Sequence, residues 1–394
     1  MKAAFFHDVK IIRGNNDKMY SVDFGYEVWE RYLQVFDDIT VCTREEDKEN
    51  IDLKKYKISS GKNVKFSLNK EYKTPLQFFT QRSQINEPIK KLVRDSDVCI
   101  VRLPSVIGIL AAKECIKQNK PWAVEVVGCC WDSLWNYGNL KGKLFAPIMF
   151  TLNKYYVKRA SHVIYVSKEF LQKRYPSKGI VASASDVNIL SIDEDVLIKR
   201  IEKIKSKSSL DSIITLGLIG SLDVEYKGHR TAIMAIKELK SKGYNVILRC
   251  LGGGDKTKWE LLCKEMDIED LVEFCGTLPS GAPVLQWIDD IDIFVMPSLQ
   301  EGLPRSMVEA MSRGCNIIGA KTGGIPELIE DEFIFSPKDY KKMAELIERL
   351  VKDKNLAIEQ SKRNFEEAKN YIKEVVDKNR LEFWKNFDKN IKDT

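Results

Sequence analysis

Apolar and polar residues alternate along this chain in blocks that predict strands and helices by turns. Short apolar runs, typical of strands buried on both faces, are separated by longer segments in which apolar residues recur at helical spacing. In the first half this pattern predicts strands at 3–7, 39–42, 98–102, 122–127, 162–166 and 180–182, with helices at 26–36, 85–94, 106–118 and 144–158. Such alternation indicates an α/β fold with a doubly wound parallel sheet.

The alternation begins again after a polar segment near 183–191, so the second half predicts another α/β domain of similar design. Its strands are expected at 212–219, 245–251, 272–275, 293–296 and 316–320, with helices at 193–208, 229–241, 259–266 and 284–289. Residues 338–394 have helical character almost throughout. We therefore place the domain boundaries at 1–185 and 186–374.

The most informative stretch is 293–328, which opens with the apolar run of a buried strand. Pro304 suits the first turn of a helix, and Gly314 suits a helix end in the left-handed conformation. The resulting strand–helix–strand unit places Glu301 and Gly302 in a loop at the carboxyl end of a strand. Open parallel sheets bind ligands at that edge.

Two glutamates in this stretch have different explanations. Glu309 lies on the apolar-poor side of the predicted helix, with Arg305 and Arg313 four residues to either side, which favours a surface ion-pair ladder. Glu301 is a carboxylate in a glycine-containing loop, and packing explains it poorly. Upstream, Lys227 precedes a predicted helix, whose N-terminus attracts phosphate; an ordinary loop with a solvent-exposed lysine is the alternative.

Other chemistries find little support in the sequence. His7, His162 and His229 lie beside no GxSxG motif or candidate cysteine nucleophile, and no Walker A or GxGxxG motif is present. The DxD patterns at 95–97 and 290–292 each precede an apolar strand, where carboxylates usually cap a turn. Capping is therefore favoured over metal binding at both.

Charge and cysteine content narrow the setting. The 394 residues carry a formal net charge of +6, but residues 1–185 hold 31 Lys and Arg against 20 Asp and Glu, a net +11. That excess suits nucleic acid, anionic lipid or phosphorylated ligands, with a solvated surface as the equal alternative. Nine cysteines without CxxC spacing argue against zinc and against a disulfide framework. No signal peptide or long apolar run is evident, which predicts a cytoplasmic protein.

The motifs resemble those of a large family, the retaining glycosyltransferases of the GT-B fold, also called glycosyl transferases group 1. The hallmark pair, Glu301 and Glu309, is separated by seven residues. The other matching residues are Gly302-Leu303-Pro304, Ala310-Met311, Thr322-Gly323-Gly324-Ile325-Pro326-Glu327, Gly220, Lys227-Gly228, Gly252-Gly253-Gly254 and Phe274-Cys275-Gly276. The resemblance is strong over 212–330 and faint over 1–185.

The resemblance implies two Rossmann-like domains facing a cleft. Residues 1–185 would bind the acceptor, residues 186–374 a nucleotide sugar, and the last helix, about 375–394, would pack on the first domain. The donor substrate would be a UDP- or GDP-linked sugar, with no metal or other cofactor. The reaction would retain the configuration of the anomeric carbon.

Site roles also follow from the resemblance. Lys227 would neutralise the diphosphate leaving group, and Glu301, with the backbone N–H groups of Gly302 and Leu303, would hold the donor sugar; Lys227 and Glu301 are the candidate catalytic residues. Glu309 would accept hydrogen bonds from the ribose. The remaining donor-side candidates are Gly220, Ser221, Gly252, Pro304 and, beside the base, Thr277 and Leu278.

The chain departs from the family's pattern in places. Ser221 stands where an arginine commonly follows the glycine, so one cation of the diphosphate site is missing or supplied from elsewhere. In the first domain, Gly14-Asn15-Asn16 or Gly25 replaces a paired-glycine loop. Asp132 is the acceptor-side candidate where the family often has a histidine, with a structural turn as the equal alternative.

We therefore expect transfer of a sugar to a glycan or lipid-linked acceptor in cell-surface polysaccharide or glycolipid synthesis. A nucleotide-sugar epimerase of the same fold and a non-catalytic nucleotide-sugar-binding relative remain as alternatives. No nucleic-acid partner is expected. An anionic membrane surface is a candidate partner, through the lysine-flanked apolar segment Lys141 to Phe150, although the core face of a helix is the favoured explanation of that segment.

Overall fold

The structure, a computed structural model, describes residues 1–14, 18–46, 53, 56–69, 82–136, 140–187, 189–207 and 212–393. It divides into two compact units. The first consists of Met1–Asp186 and Asp377–Thr394, and the second of Val187–Val376. The boundaries expected from the sequence, after residues 185 and 374, lie within two residues of these points.

The first unit is built on a largely parallel sheet. Its strands are β1 (Lys2–Arg13), β2 (Met19–Ser21), β3 (Asp38–Glu45), β4 (Lys57–Ile58), β5 (Val64–Asn69), β6 (Val98–Leu103), β7 (Trp122–Val126), β8 (His162–Tyr165) and β9 (Ile180–Ser183). The parallel strands lie in the order β5-β3-β1-β6-β7-β8-β9, and β2 pairs antiparallel with β1 and β4. The expected end of the first strand at residue 7 is wrong. β1 resumes pairing at Lys10, across an irregularity after Phe6, because β3 and β2 bind its second half, in which Ile11 and Ile12 are buried among polar residues.

Helices cover this sheet, and their apolar faces supply the core. They are α1 (Tyr26–Leu33), α2 (Arg82–Asp95), α3 (Val106–Lys117), α4 (Cys130–Asn136), α5 (Leu140–Val157) and α6 (Phe170–Arg174). The two shortest, α4 and α6, were not expected, since neither is long enough to show a helical period. Among the described residues, no helix combines the length and apolar character needed to cross a membrane.

The second unit repeats the design with a sheet whose described strands are all parallel. Its strands are β10 (Ile214–Ile219), β11 (Val246–Leu251), β12 (Val272–Phe274), β13 (Ile293–Met296), β14 (Asn316–Ala320) and β15 (Ile334–Phe335), in the order β12-β11-β10-β13-β14-β15. Its helices are α7 (Glu194–Ser206), α8 (His229–Ser241), α9 (Thr257–Glu265), α10 (Ala282–Asp290), α11 (Arg305–Ser312), α12 (Tyr340–Lys352) and α13 (Lys354–Ala368). The predicted limits of β13 and β14 are confirmed, and Gly314 ends α11 with a φ of +60°.

The last helix, α14 (Lys373–Lys392), belongs from Asp377 onward to the first unit. Trp384 is fully buried there, and its ring lies 5.4 Å from that of Tyr32 and 6.2 Å from that of Phe36. Aromatic burial on this scale contributes strongly to packing. The C-terminal residues therefore complete the core of the unit that the N-terminus begins.

Candidate functional site

The order in which the chain adds strands to the second sheet reverses at β10, which lies between β11 and β13. The chain winds outward from β10 on both sides, so the loops that follow β10 and β13 leave the sheet in opposite directions. Such a switch point opens a crevice at the carboxyl ends of the strands, where α/β sheets bind ligands. Lys227 lies in the loop after β10, and Glu301 lies in the loop after β13.

Lys227 and Glu301 meet across this switch point. The Nζ of Lys227 donates to the Oε1 of Glu301 at 2.7 Å, and the two side chains are 24% and 10% exposed. The residues are 74 positions apart in the chain, so only the order of the strands brings them together. Lys227 ends a short 3-10 turn, and α8 begins two residues later, which places its free N–H groups near this lysine.

Two hydrogen bonds fix the backbone that leads to Glu301. On one side, the N–H of Leu299 donates to the carbonyl of Tyr226, the residue before Lys227, at 2.7 Å. On the other side, the hydroxyl of Thr322 donates to the carbonyl of Ser298 at 2.8 Å. The loop after β13 is therefore held between the loops after β10 and β14. Sequence reasoning assigned Thr322 no role.

Gly323 shows how closely the loop after β14 approaches Glu301. Its φ is +54°, and a Cβ built there would lie 1.9 Å from the carbonyl oxygen of Glu301. The next residue, Gly324, donates its N–H to the carbonyl of Gly302 at 2.7 Å. Residue 323 must therefore be a glycine, both because its φ is positive and because any Cβ would clash with the Glu301 carbonyl. The adjacent glycines after a buried strand were the sequence signal for this close approach.

Glu309 lies on α11 and is half-buried. Burial raises the pKa of its carboxyl group, and the opposing charge of Arg305 only partly offsets that effect. Arg313 pairs instead with Asp289, at 2.8 and 2.5 Å. The expected ion-pair ladder through Glu309 and Arg313 is therefore wrong. Within the described chain, the Glu309 carboxylate makes no hydrogen bond or ion pair with another residue.

The glycine-containing loops after β10 and β11 pack closely against each other. The N–H of Gly220 donates to Leu251 at 2.9 Å, and the N–H of Gly252 donates to Gly276 at 2.7 Å. A Cβ on Gly252 would lie 2.0 Å from the carbonyl oxygen of Gly220. Ser221, which follows Gly220, is exposed. Its hydroxyl accepts a hydrogen bond from the Asp223 N–H at 3.3 Å and so stabilises the turn after β10.

The remaining donor-side candidates border these loops. Thr277 and Leu278 follow β12 and are exposed, and the Thr277 methyl approaches the Cα of Gly253. Pro304 is buried directly before α11, and Leu303 is half-buried against Gly324. All the predicted donor-side residues thus lie at or just beyond the carboxyl edge of one sheet, on the loops after β10 to β13 and on α11.

The acceptor-side candidates lie in the first unit, each in its own surroundings. Gly14 donates its N–H to Lys18 at 2.8 Å in the turn after β1, and Gly25 directly precedes α1. Asp132, in the first turn of α4, forms an ion pair with Arg174 at 3.4 Å, which supports the structural alternative for this residue. Asn15 and Asn16 lie outside the described residues.

Two aspartates of the DxD patterns bond to the backbone of a neighbouring strand. The Asp97 carboxylate accepts the Lys2 N–H of β1 at 2.6 Å, and the Asp292 carboxylate accepts the Thr215 N–H of β10 at 2.8 Å. Their role is therefore structural, although each carboxylate bonds to an adjacent strand and not to the turn that it was expected to cap. In the described ranges, no group of three or more His, Cys, Asp or Glu side chains is arranged to hold a metal ion.

A buried ionic network in the first unit was not predicted from the sequence. Arg102 donates to Glu125 at 2.6 Å and also to Asp186, and Arg380 donates to Asp186 at 3.0 Å. Tyr32 donates to Glu125 at 2.9 Å. The available signal was a single charged residue in each of two otherwise apolar strands, β6 and β7.

Comparison with known proteins adds a family and a fold. Residues 213–353 match the family described as Glycosyl transferases group 1. Protein CapJ of Staphylococcus aureus is 33% identical over 393 residues, which cover 100% of this chain and 97% of that protein. The putative colanic acid biosynthesis glycosyltransferase WcaL of Escherichia coli is 36% identical over 113 residues, 27% of this chain and 28% of that protein.

Among solved structures, that of Anabaena Alr3699/HepE in complex with UDP aligns with a TM-score of 0.65 at 15% identity. The alignment covers 100% of both chains. At this identity the likeness concerns the fold alone.

Proposed function

This chain belongs to the glycosyl transferases of group 1 and has the GT-B fold, and from that premise we propose which reaction it performs. It transfers a sugar from a nucleotide-diphosphate donor to a glycan or lipid-linked acceptor in the synthesis of a cell-surface polysaccharide or glycolipid. The donor occupies the carboxyl edge of the second sheet.

The observation that carries this proposal is the Lys227–Glu301 ion pair at the switch point. A cation beside the first turn of α8 suits a diphosphate, because the helix N–H groups and the ammonium both attract negative charge. A carboxylate in the facing loop suits the hydroxyl groups of a sugar. Donor binding would exchange the lysine's carboxylate partner for the diphosphate and leave Glu301 to accept hydrogen bonds from the sugar.

Glu309 supports the same placement. A half-buried carboxylate without a partner in the described chain is costly unless a ligand uses it. A ribose offers two neighbouring hydroxyl groups, which are suitable donors for the two carboxylate oxygens. Thr277 and Leu278 would border the base, and the backbone N–H groups of Gly302 and Leu303 would complete the sugar subsite.

The related proteins support the class of donor and product. UDP is the nucleotide in the Anabaena complex, and colanic acid synthesis is the role in the name of the Escherichia coli relative. We therefore place UDP-sugars first among the donors to test, with GDP-sugars second. The acceptor would be a growing glycan or a lipid-linked sugar.

The chemistry follows from where charge develops. The bond between the anomeric carbon and the diphosphate oxygen breaks, and the acceptor hydroxyl forms the new glycosidic bond as its proton departs. Lys227 and the first turn of α8 would stabilise the negative charge that grows on the leaving diphosphate. Transfer would retain the anomeric configuration and need no metal. Product analysis by NMR and assays in excess EDTA test these two points directly.

A thermal-shift screen over UDP-, GDP- and ADP-sugars tests the proposal, because a ligand that binds the folded state raises Tm. We expect one nucleotide class to raise Tm and that donor to be consumed with a glycan acceptor. Conversion of a nucleotide sugar into its epimer, without transfer, would contradict the proposal. A Tm rise without consumption of the donor, across a panel of glycan and lipid-linked acceptors, would favour a non-catalytic binding protein.

A further inference from the structure

Helix α5 presents a row of apolar side chains to solvent. Leu140, Leu144, Ile148 and Tyr155 are 85%, 71%, 52% and 45% exposed. At 3.6 residues per turn they lie on one face of the helix, along about 22 Å of its length. Ala146, on the opposite face, is fully buried. The core-face explanation favoured for this segment therefore holds for Ala146 but not for Leu144 and Ile148, since α5 has apolar residues on both sides.

An aromatic pair on the preceding helix adjoins this row. Trp135 of α4 is 43% exposed and stacks on Trp131, with ring centroids 5.2 Å apart. The Nζ of Lys143, on α5, lies 5.8 Å from the centre of the Trp135 ring. An exposed tryptophan beside a lysine is typical of side chains that lie at a membrane–water interface.

The charged residues of α5 and of the sequence on either side of it have a single sign. From Ser133 to Lys168 the sequence contains no Asp or Glu, but it contains six Lys and Arg residues. Lys143 and Lys154 are both exposed and stand about three turns apart on the same side of α5. A row of exposed apolar residues on a helix whose charged residues are all cations is the composition of a helix that lies on anionic lipid.

The positive charge also distinguishes between two candidates for binding to this face, a second copy of the chain and an anionic bilayer. A second copy of the chain, packed through a two-fold axis, would bring the same lysines against each other. An anionic bilayer offers opposite charge to the lysines and an apolar layer to the leucines. It is therefore the better match.

We propose that the exposed face of α5, with Trp135, docks the first unit on an anionic membrane surface. Leu140, Leu144 and Ile148 enter the boundary between headgroups and acyl chains, while Lys143 and Lys154 contact the phosphates. The inference rests on the surface of the first unit and not on the proposed transfer chemistry, so each can fail without the other.

Co-sedimentation with vesicles tests this docking. The full chain is mixed at low salt with vesicles of phosphatidylcholine alone or with phosphatidylglycerol added. We expect binding only to the anionic vesicles, and a loss of binding as salt screens the charge. Leu144→Gln/Ile148→Gln should reduce binding at least tenfold, and Lys143→Gln/Lys154→Gln about fivefold for each lysine.

Matched variants control for general loss of apolar or positive surface. Ile198→Gln/Leu261→Gln changes two side chains of the second unit that are 55% and 57% exposed, and Lys341→Gln/Lys362→Gln removes two exposed lysines there. Both should bind vesicles like the wild type, and all four variants should keep the wild-type Tm. Failure of the wild type to bind anionic vesicles overturns the proposal. Undiminished binding by Leu144→Gln/Ile148→Gln overturns it as well. If the wild type binds no lipid but self-associates, and this variant does not self-associate, the face is an interface between two copies of the chain.

Discussion

At the residue scale, the site contains two half-buried glutamates with opposite surroundings. Glu301 has its charge compensated by Lys227 at 2.7 Å. Glu309 lacks an ion pair in the described chain, and burial raises its pKa. A carboxylate whose folded pKa lies above its ordinary value destabilises the fold when charged, and this penalty develops as pH rises from the ordinary pKa to the raised one. Glu309 therefore weakens the fold at neutral pH, which is expected of a residue kept for binding.

Replacing Glu309 tests whether this residue lowers the stability of the fold and contributes to donor binding. We predict that Glu309→Gln raises Tm at pH 8 by roughly 1–3 °C, with a smaller gain at pH 5, where more of the wild-type carboxyl is protonated. Donor affinity should fall about tenfold or more, because a charged hydrogen-bond acceptor is lost. Calorimetry and donor titration at the two pH values measure both effects.

Glu359→Gln, an exposed change in the same unit, serves as the control and should leave both quantities unchanged. A Glu309→Gln variant with lower Tm and wild-type donor affinity would show that the carboxylate is structural.

At the element scale, three loops act as one support for Glu301. Hydrogen bonds to the carbonyls of Tyr226 and Ser298 fix the approach to Glu301 from two sides. Gly323 then packs its Cα against the Glu301 carbonyl. Interlocked loops of this kind hold functional groups more closely than isolated loops do.

Glycine substitutions separate conformation from contact. Gly323→Ala and Gly243→Ala both place a Cβ at positive φ, +54° and +83°, but only the first would meet other atoms, since nothing lies within 4 Å of the second. We predict a modest loss of Tm for both variants. Donor affinity should fall about tenfold or more for Gly323→Ala alone, where the backbone of Glu301 must shift. Equal donor affinities for the two variants would contradict the role given to this loop.

The hydroxyl of Thr322 gives a finer test of the same support. Thr322→Ser keeps a donor for the Ser298 carbonyl, whereas Thr322→Val keeps the shape and loses the hydrogen bond. We expect Thr322→Val to lower kcat/KM several-fold and Thr322→Ser to retain most of it, because only the valine leaves the carbonyl unpaired. Equal loss in both variants would indicate a packing effect instead.

The elements themselves were largely predictable, because buried parallel strands give compact apolar runs. β13 and β14 were predicted to the residue, as was α8. The second half of β1 was not, since polar residues interrupt its apolar ones and its pairing depends on β2 and β3. The Lys227–Glu301 contact was beyond pattern reading, because it depends on strand order. The burial of Glu309 was hidden for a related reason, since a helical period describes one helix and not its neighbours.

At the scale of the whole molecule, the C-terminal helix returns to the first unit through buried charge as well as Trp384. Arg380 is 3% exposed and donates to the carbonyls of Ala184 and Ser185 and to the Asp186 carboxylate. Burial alone would raise the pKa of Asp186, but Arg102 and Arg380 outweigh it and hold that pKa well below the ordinary 3.8. Asp186 therefore contributes stability above about pH 4, which is lost as pH falls toward the lowered pKa.

We predict that Arg380→Met lowers the free energy of unfolding of the first unit by about 3–5 kcal/mol, because it removes a cation from the buried Glu125 carboxylate and the half-buried Asp186 carboxylate. Its stability should also fall less steeply than that of the wild type between pH 5 and pH 3. Lys385→Met, an exposed change on the same helix, should match the wild type at every pH. Denaturant unfolding across this pH range gives the comparison, and an Arg380→Met variant as stable as the wild type would contradict the account.

The central claim is that Lys227 holds the diphosphate of a nucleotide-sugar donor at the edge of the second sheet. The most direct measurement is the Kd of the donor found by the thermal-shift screen, determined by calorimetric titration of the wild type, Lys227→Ala and Lys237→Ala. Lys237 is an exposed lysine of α8 and the matched control. The account predicts a Kd about tenfold or more higher for Lys227→Ala and an unchanged Kd for Lys237→Ala. A Lys227→Ala variant that binds the donor as tightly as the wild type would contradict it.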